Sequence, residues 1–453
     1  MQFTTFDQFC NYAESFTNLE RQNSNYTVRN YRLDRMEKLL SHLGNPQNNY
    51  KTIHIAGSKG KGSTANLLSN ALRAIGYKTA LYTSPHLVDY RERFTLSGQF
   101  FGEQELLDVS NLLVEKLQEF TFTDKWGTSK PTTFELLTSF AFLLFSETKC
   151  DWAIIETGLG GRLDATNVIK PQATILTWIE LEHMAILGNT IEQIATEKSK
   201  IIKANTPVFI SHQNPISRKI FYEEAKSNNC PIYDLENEVE SIVTNTTFEG
   251  EKVFITWSDK TTTNLVLSML GKAQSENVAL ALLTLKKLNL YKPEITEHGL
   301  EKAKMRGRME ILATNPTLLI DGAHTVESLK TLTKSFVQLF GTKDNTLIYG
   351  SLEDKDHIHM AELILPIFKT IIVSTPGTFK KSNPDSLYSL LVTESKKLQN
   401  PPTIILEKEP LKALQLALEL TPKEKAILST GSFYMGGEIV KSYRELNLEK
   451  ACP

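Results

Sequence analysis

Between Thr52 and Ser63 the chain reads T-I-H-I-A-G-S-K-G-K-G-S, a short apolar run followed by glycines, lysines and a closing hydroxyl. Residues of these types in this order suit an anion. Gly57, Gly60 and Gly62 let backbone N–H groups close on phosphate oxygens where a Cβ would intrude, and the helix start that follows adds partial positive charge. Lys61, with Ser58 and Lys59 in the same loop, brings charge to terminal phosphates, and the Ser63 hydroxyl is of the kind that ligates Mg2+. The spacing is not the strict G-x-x-x-x-G-K-[ST]: Gly60-Lys61 follows Gly57 too closely, and Gly62 is inserted before Ser63. Alone, the stretch also admits an ordinary strand-to-helix turn.

Other groups with chemistry stand at the ends of apolar runs. Asp151-Trp152-Ala153-Ile154-Ile155 ends on Glu156 and passes into T-G-L-G-G-R-L-D-A-T-N, a glycine-rich loop whose backbone suits close approach to a ligand. A carboxylate ending a buried strand beside a phosphate loop is placed to hold Mg2+. Thr83-Ser84-Pro85-His86-Leu87 follows another strand, so Ser84 could reach the same centre or simply start a turn. Glu180-Leu181-Glu182-His183 offers a second carboxylate–histidine pair, with His183 the preferred metal candidate although Mg2+ favours oxygen. Glu197-Lys198 lies on a helical stretch and reads as a surface face, and Arg91-Glu92-Arg93 as a solvated cluster.

The elements that must position these groups follow from periodicity. Residues 1–50 read as helical, with apolar spacing from Tyr31 to Leu40 stopped by Gly44-Asn45-Pro46. Strand, glycine turn, a helix from Ser63 capped at Gly76, and the strand Lys78–Tyr82 make one βαβ unit. Thr132 or Thr133 caps an apolar helix, Leu136 to Phe145, with Glu135 in its first turn. Ala173–Trp178 and Pro207–Ile210 are further strands, Thr190–Ile202 and Pro215–Asn228 helices, and Ile242 and Val253–Trp257 lie in β-rich stretches. A helix runs from Val278 to Leu288, and a polar one from Thr296 to Lys304. Beyond residue 305, strands at Thr317–Ile320, Leu347–Gly350, Thr370–Ser374, Thr403–Leu406 and Ala426–Leu428 alternate with helices. The expected fold class is α/β: an N-terminal parallel sheet of the P-loop ATPase kind over residues 1–304, flanked by helices, and a smaller Rossmann-like α/β domain over 305–453.

Composition excludes several alternatives. A net charge of −2 and 41% hydrophobic content give no reason to invoke nucleic acid or an anionic membrane surface. The N-terminus lacks the pattern of a signal peptide, and no apolar run is long enough to span a bilayer. Cys10, Cys150, Cys230 and Cys452 have no C-x-x-C spacing, which argues against disulfide or zinc frameworks and fits a reducing cytoplasm.

Together the motifs resemble the folylpolyglutamate synthase/dihydrofolate synthase family, a branch of the Mur-type ATP-dependent amide ligases, from about Tyr31 to Val440. The most specific is E-T-G-L-G-G-R-L-D-A-T-N (Glu156–Asn167). H-I-A-G-S-K-G-K-G-S, T-S-P-H-L, R-E-R-F, P-T-T-F-E, L-G-N-T-I, I-A-T-E-K, G-R-M-E, D-G-A-H, D-K-D and G-S-F-Y support it in the family's order. The resemblance implies that Ser63 and Glu156 hold the Mg2+ of ATP, and that Ser84, Glu156 and His183 hold a second ion. It implies that Lys198 is carbamylated beside that metal, making Lys61, Glu156, His183 and Lys198 the catalytic set. Gln274 and Asn277 would contact the nucleotide, Arg308 its terminal phosphates, and Asp321 and His324 its ribose and phosphate from the second domain. Implied substrates are ATP, L-glutamate and dihydropteroate or a (tetrahydro)folate, joined through an acyl phosphate by a cytoplasmic monomer. Departures from the family pattern are Ser58-Lys59 for Thr-Asn, Glu182 for Asp, Ala273 for His, and Thr325-Val326 for Asn-Pro. Ligation of another amino acid to another acceptor, or a nucleotide-binding module that has lost catalysis, are the competing readings.

Overall fold

The computed structural model describes residues 2–18, 32–123, 130–342 and 344–446. Tyr31, at the start of the expected first helix, and Cys452 lie outside the described residues. The remainder of that helix is Leu33–His42, ended where Asn45 turns left-handed at φ 56°.

The first sheet contains β1 (Lys51–Ala56), β2 (Thr79–Tyr82), β3 (Phe94–Leu96), β4 (Gln99–Phe100), β5 (Trp152–Glu156), β6 (Ala173–Leu176), β7 (Val208–Ile210) and β8 (Ile232–Asp234). Its order is β4-β3-β2-β5-β1-β6-β7-β8. The central strands are parallel and buried along almost their whole length, as continuous apolar runs require when helices cover both faces. One core packs the helices Lys61–Ala74 and Ala273–Lys287 on one face; the other packs Phe6–Glu14, Glu103–Gln118 and Thr133–Glu147 on the opposite face.

Two expectations are corrected here. β1 and β2 are parallel but not neighbours, because β5 inserts between them and pairs with both. Its run Trp152–Ile155 is apolar enough for the centre of a sheet. Nor is the sheet wholly parallel: β3 and β4 form an antiparallel hairpin at its edge, turned by Ser97 and Gly98, both at positive φ (50° and 85°).

A second, antiparallel sheet comprises β9 (Val239–Thr247), β10 (Gly250–Trp257) and β11 (Thr262–Leu267), its inner face packed on the helix Ala273–Lys287. The third contains β12 (Glu310–Ala313), β13 (Thr317–Ile320), β14 (Thr346–Tyr349), β15 (Thr370–Val373), β16 (Thr403–Leu406) and β17 (Ala426–Thr430), in the order β12-β13-β17-β14-β15-β16. All its pairs are parallel except β12 with β13. The helix expected at 296–304 is Ile295–Glu301 and is not polar throughout: Thr296 and Leu300 are buried, and a Cβ on Gly299 would stand 2.6 Å from Ala74 Cβ.

Candidate active site

β1 has β5 on one side and β6 on the other, and the chain leaves their carboxyl ends in different directions. Such a switch point opens a crevice. Three loops meet there: Gly57–Gly60 after β1, Thr157–Asn167 after β5, and Thr177–His183 after β6.

The first loop needs its glycines. Gly57 has φ 150°, and a Cβ there would lie 1.9 Å from Thr177 Oγ1; Gly60 has φ 89°, and a Cβ would lie 2.4 Å from Asn277 Oδ1. Gly60 starts the helix Lys61–Ala74 without a side-chain cap, whereas Thr132 and Thr325 cap their helices. The first-turn N–H groups therefore remain available to an anion. Ser58 N and Lys59 N donate to Trp178 O at 2.8 and 3.2 Å, and Ser58 Oγ donates to Glu180 O at 3.1 Å. Lys59 pairs with Glu180 at 3.1 Å. Lys61 Nζ donates to Gly57 O at 2.9 Å, folding over the loop it follows.

Glu156 ends β5 almost sealed from solvent. Its Oε2 accepts from Ser84 N at 3.2 Å and would stand 3.3 Å from a Cβ on Gly62. Burial raises its pKa, against the opposing charges of Lys61, Arg308 and Lys198. Asp164 anchors the loop that follows by accepting from Leu159 N at 2.8 Å and Thr166 N at 3.0 Å.

Lys198 overturns the surface-face reading. It is 1% exposed, donates to Gly57 O at 2.8 Å and pairs with Glu182 at 2.9 Å. On the nine-residue helix Ile191–Ser199, Lys198 shares the buried face of Ile194 and Ala195, and the close approach of Gly161 to the carbonyls of Glu197 and Lys198 seats that end of the helix against the loop after β5. Burial lowers the Lys198 pKa, with Glu182 opposing. Burial alone would raise Glu182, but Lys198 and then Lys61 outweigh it and hold it at about 2. His183, left-handed at φ 48°, is exposed to the cleft, and the protein crowded around it lowers its pKa, against Glu182. Its imidazole is neutral at neutral pH and can ligate.

Arg93 is also corrected. It is 2% exposed, its Nε donating to His86 Nδ1 at 2.9 Å, while Glu92 caps the turn by accepting from Leu87 N at 2.6 Å.

The third sheet supplies the opposite wall. Asp321 follows β13, accepts from Met309 N at 2.9 Å and Ala323 N at 2.8 Å, and has its pKa raised by burial despite Arg308. His324 Nδ1 meets Gly322 O at 2.8 Å; burial, then Lys59, takes its pKa to about 3. Arg308 lies over the Phe433 ring at 5.5 Å, and its charge reaches Glu156 and Asp321. From the helix Ala273–Lys287, Asn277 Nδ2 donates to Gln274 Oε1 at 3.0 Å beside Gly60. Of the departures, Ala273 is exposed and Thr325 caps the helix Val326–Phe340, whereas Ser58, Lys59 and Glu182 lie within the site.

A cavity of about 210 Å3 opens on this centre, lined by Ser84, Phe134, Gly158, Leu159, His183 and, from the third sheet's side, Lys380 and Tyr434. Beside it, sharing Pro85 and Tyr434, lies a more polar cavity of about 250 Å3 lined by His86, Arg93, Thr378, Glu438 and Lys441. Sequence reasoning assigned no role to Phe134, Lys380 or Tyr434. The P-T-T-F-E and G-S-F-Y motifs contain two of them.

Mg2+ fits the residues present. Ser63 Oγ faces the thioether of Met305 at 3.6 Å, a weak acceptor, and buried Thr157 Oγ1 beside Glu156 has no partner. Hard oxygens around a carboxylate whose charge burial opposes suit a hard cation. Lys198 fits only if modified, because its ammonium is a cation. Among the described residues no group of three or more His, Cys, Asp and Glu is placed to hold a metal.

The Mur ligase middle domain matches residues 55–285, and the Mur ligase glutamate ligase domain matches residues 307–433. A dihydrofolate synthase/folylpolyglutamate synthase of Bacillus subtilis (strain 168) is 30% identical over 415 residues, 90% of this chain and 94% of the relative. A solved folylpolyglutamate synthase of Thermotoga maritima has a TM-score of 0.81 at 31% identity, covering 96% of each chain. A solved complex of folylpolyglutamate synthase with AMPPCP has a TM-score of 0.81 at 25% identity, covering 98% of this chain and 100% of that one.

Proposed function

From a chain that belongs to the Mur ligase family, in its folylpolyglutamate synthase/dihydrofolate synthase branch, we propose how an ATP-dependent, ADP-forming ligase of L-glutamate to a folate-type carboxylate divides the work among its residues. The observation that carries the assignment is the meeting of Lys61, Glu156, His183 and Lys198 at one switch point, opposite Arg308 and Asp321 and at the mouth of a largely apolar cavity.

ATP lies between the first and third sheets. The uncapped first-turn N–H groups of the helix Lys61–Ala74 and the Lys61 ammonium, with Lys59 beside them, hold its β- and γ-phosphates; Arg308 adds charge from the other wall. Gln274 and Asn277 contact the nucleotide from the first domain, and Asp321 and His324 from the second. Ser63 and Glu156 would hold one Mg2+, and Ser84, Glu156 and His183 another. Bound there, the ions would neutralise charge on the transferring phosphoryl oxygens.

The cavity lined by Phe134 and Leu159 takes the pterin end of the acceptor and leaves its carboxylate beside Ser84 and His183. A carboxylate oxygen attacks the γ-phosphorus, the bond to the β–γ bridging oxygen breaks, and ADP leaves. The resulting acyl phosphate is attacked by the amine of glutamate. Phosphate leaves with the electron pair of the C–O bond, the nitrogen loses a proton, and an amide remains. The neighbouring polar cavity seats glutamate, with Arg93, Lys441 and His86 facing its carboxylates.

Carbamylation of Lys198 belongs to the same reading. Its lowered pKa favours the free amine that reacts with carbon dioxide, and the product would be an anionic ligand in place of a cation. The domain division expected at 304/305 falls beside a change of packing between Met305, which packs on the first core and faces Ser63, and Met309, in the core of the third sheet. The free thiols of Cys10, Cys150 and Cys230 fit a cytoplasmic protein, acting as a monomer.

Release of inorganic phosphate should require both glutamate and a pterin carboxylate, because the acyl phosphate gives up its phosphate only when the amine attacks. Dihydropteroate and tetrahydrofolate, each with and without glutamate, separate the two acceptor specificities. Release dependent instead on a cell-wall precursor would overturn the folate reading.

A further inference from the structure

The sheet β9–β11 contributes no side chain to the site described above, yet it touches both of its walls. From the third sheet's side, Gln338 on the helix Val326–Phe340 donates through Nε2 to Asn245 Oδ1 at 2.9 Å and to Thr246 O at 3.1 Å. Phe340 meets Phe248, at the turn between β9 and β10, edge to face at 5.4 Å. Within the sheet, Glu251 on β10 is 0% exposed. Its carboxylate accepts from the hydroxyl of Thr244, from Thr246 Oγ1 at 2.7 Å, and from the backbone N–H of Gly271 at 3.0 Å.

All three donors are neutral. A buried carboxylate without a counter-ion is costly, and an apolar residue would fill a sheet interior at less cost. What the carboxylate provides, and an apolar side chain could not, is a fixed acceptor for Gly271. That glycine is a junction. It has φ 104°, and its carbonyl accepts from Gln274 N at 2.8 Å, opening the helix that carries Gln274 and Asn277. A Cβ on it would stand 3.1 Å from Met309 Sδ, and Met309 N is the group that donates to Asp321. The preceding Leu270 packs into the core of the third sheet.

We propose that Glu251 is a positioning residue for nucleotide binding: it fixes Gly271 so that the seat of the third sheet on Thr246 and Phe248 sets where Gln274 and Asn277 stand against the phosphate loop. The path runs Gln338–Thr246–Glu251–Gly271–Gln274–Asn277, and Asn277 Oδ1 reaches Thr64 Oγ1 at 3.4 Å beside Gly60. A physical path is not itself coupling, so the test must measure coupling.

The inference rests on the reading of Gln274 and Asn277 as nucleotide contacts, and Q274A and N277A test that reading separately through the Kd of AMPPCP on the full chain. If neither weakens binding, the nucleotide-contact reading fails and the inference falls with it. If they do weaken binding, E251Q decides the inference itself: it keeps the side chain's shape but replaces one accepting oxygen with an amide. The expected result is a rise in the KM for ATP and the Kd for AMPPCP of about tenfold, with the KM for glutamate changed less than about twofold. Q338A should weaken AMPPCP binding about threefold in the parent and add nothing in E251Q. Equal changes in the two KM values, or full additivity of E251Q and Q338A, would make Glu251 a fold-stabilising group alone and overturn the proposal. Should E251Q not fold, T246V removes a single donor to the same carboxylate. It should raise the KM for ATP selectively, and no such rise would equally overturn the proposal.

Discussion

At the scale of single residues, the site combines groups that the sequence exposes with groups it hides. Glu156 stood out in the sequence because an apolar run precedes it and a glycine-rich loop follows it, and Lys61 because glycines frame it. Replacing either with alanine should reduce glutamate-dependent ADP release at least ~10^3-fold, with thermal melts showing the chain still folded. The burial of Lys198 and Arg93 was missed: Lys198 shares the helix face of Ile194 and Ala195, a signal that its charge masked, and Arg93 is covered by tertiary packing. Arg93→Ala should raise the KM for glutamate by more than about tenfold while changing the KM for ATP little, if the polar cavity seats glutamate. His54 is a different case: buried on β1, its Nε2 meets Thr166 Oγ1 at 2.8 Å while its Nδ1 has no partner, and burial takes its pKa from 6.5 to about 3. The unfolded chain then binds this proton below pH 6.5, and the folded chain only near pH 3. Stability should therefore fall as pH drops through that window, and the difference in urea midpoint between pH 7 and pH 5 should shrink in His54→Gln.

At the scale of elements, the strands that end at the switch point were read correctly as strands but not in their order. Local sequence carries the apolar run of β5; that it lies between β1 and β2 is a property of the crossover helix, which no local pattern records. The hairpin β3–β4 and the reversed β12 escaped for a different reason: β4 is exposed and β12 only half-buried, so neither shows the continuous apolar run that marks the equally short β2 and β7. The loops between elements are held by close approach. Gly161 is the sharpest instance, since a Cβ there would stand 2.7 Å from Glu197 O and 2.9 Å from Lys198 O, both backbone atoms that cannot swing away. Gly161→Ala should push the helix Ile191–Ser199 outward. Chemical denaturation should show a loss of about 1–3 kcal/mol, and activity should fall further because Lys198 and its partner Glu182 move with it. Unchanged stability would mean that the loop relaxes at no cost.

At the scale of the whole molecule, function depends on two α/β sheets facing each other with charge on both walls. The division into a larger and a smaller sheet was legible from the alternation of strands and helices beyond residue 305. The antiparallel sheet between them was legible only as β-rich stretches. Its contacts with the third sheet are long-range and belong to tertiary packing. Arg308→Ala removes the cation that faces Glu156 and Asp321 from the second wall. Steady-state kinetics should show kcat falling with the KM for ATP rising less, because the interaction strengthens as charge moves on the γ-phosphate.

The central claim is that both sheets close on an acceptor carboxylate that becomes an acyl phosphate before the amine arrives. An acceptor carrying 18O in that carboxylate, turned over with ATP and glutamate, tests it most directly. The account predicts that one 18O atom appears in each phosphate released, and that the transfer is lost in Lys61→Ala. Phosphate free of 18O at full product yield would contradict it, because the carboxylate would never have been phosphorylated.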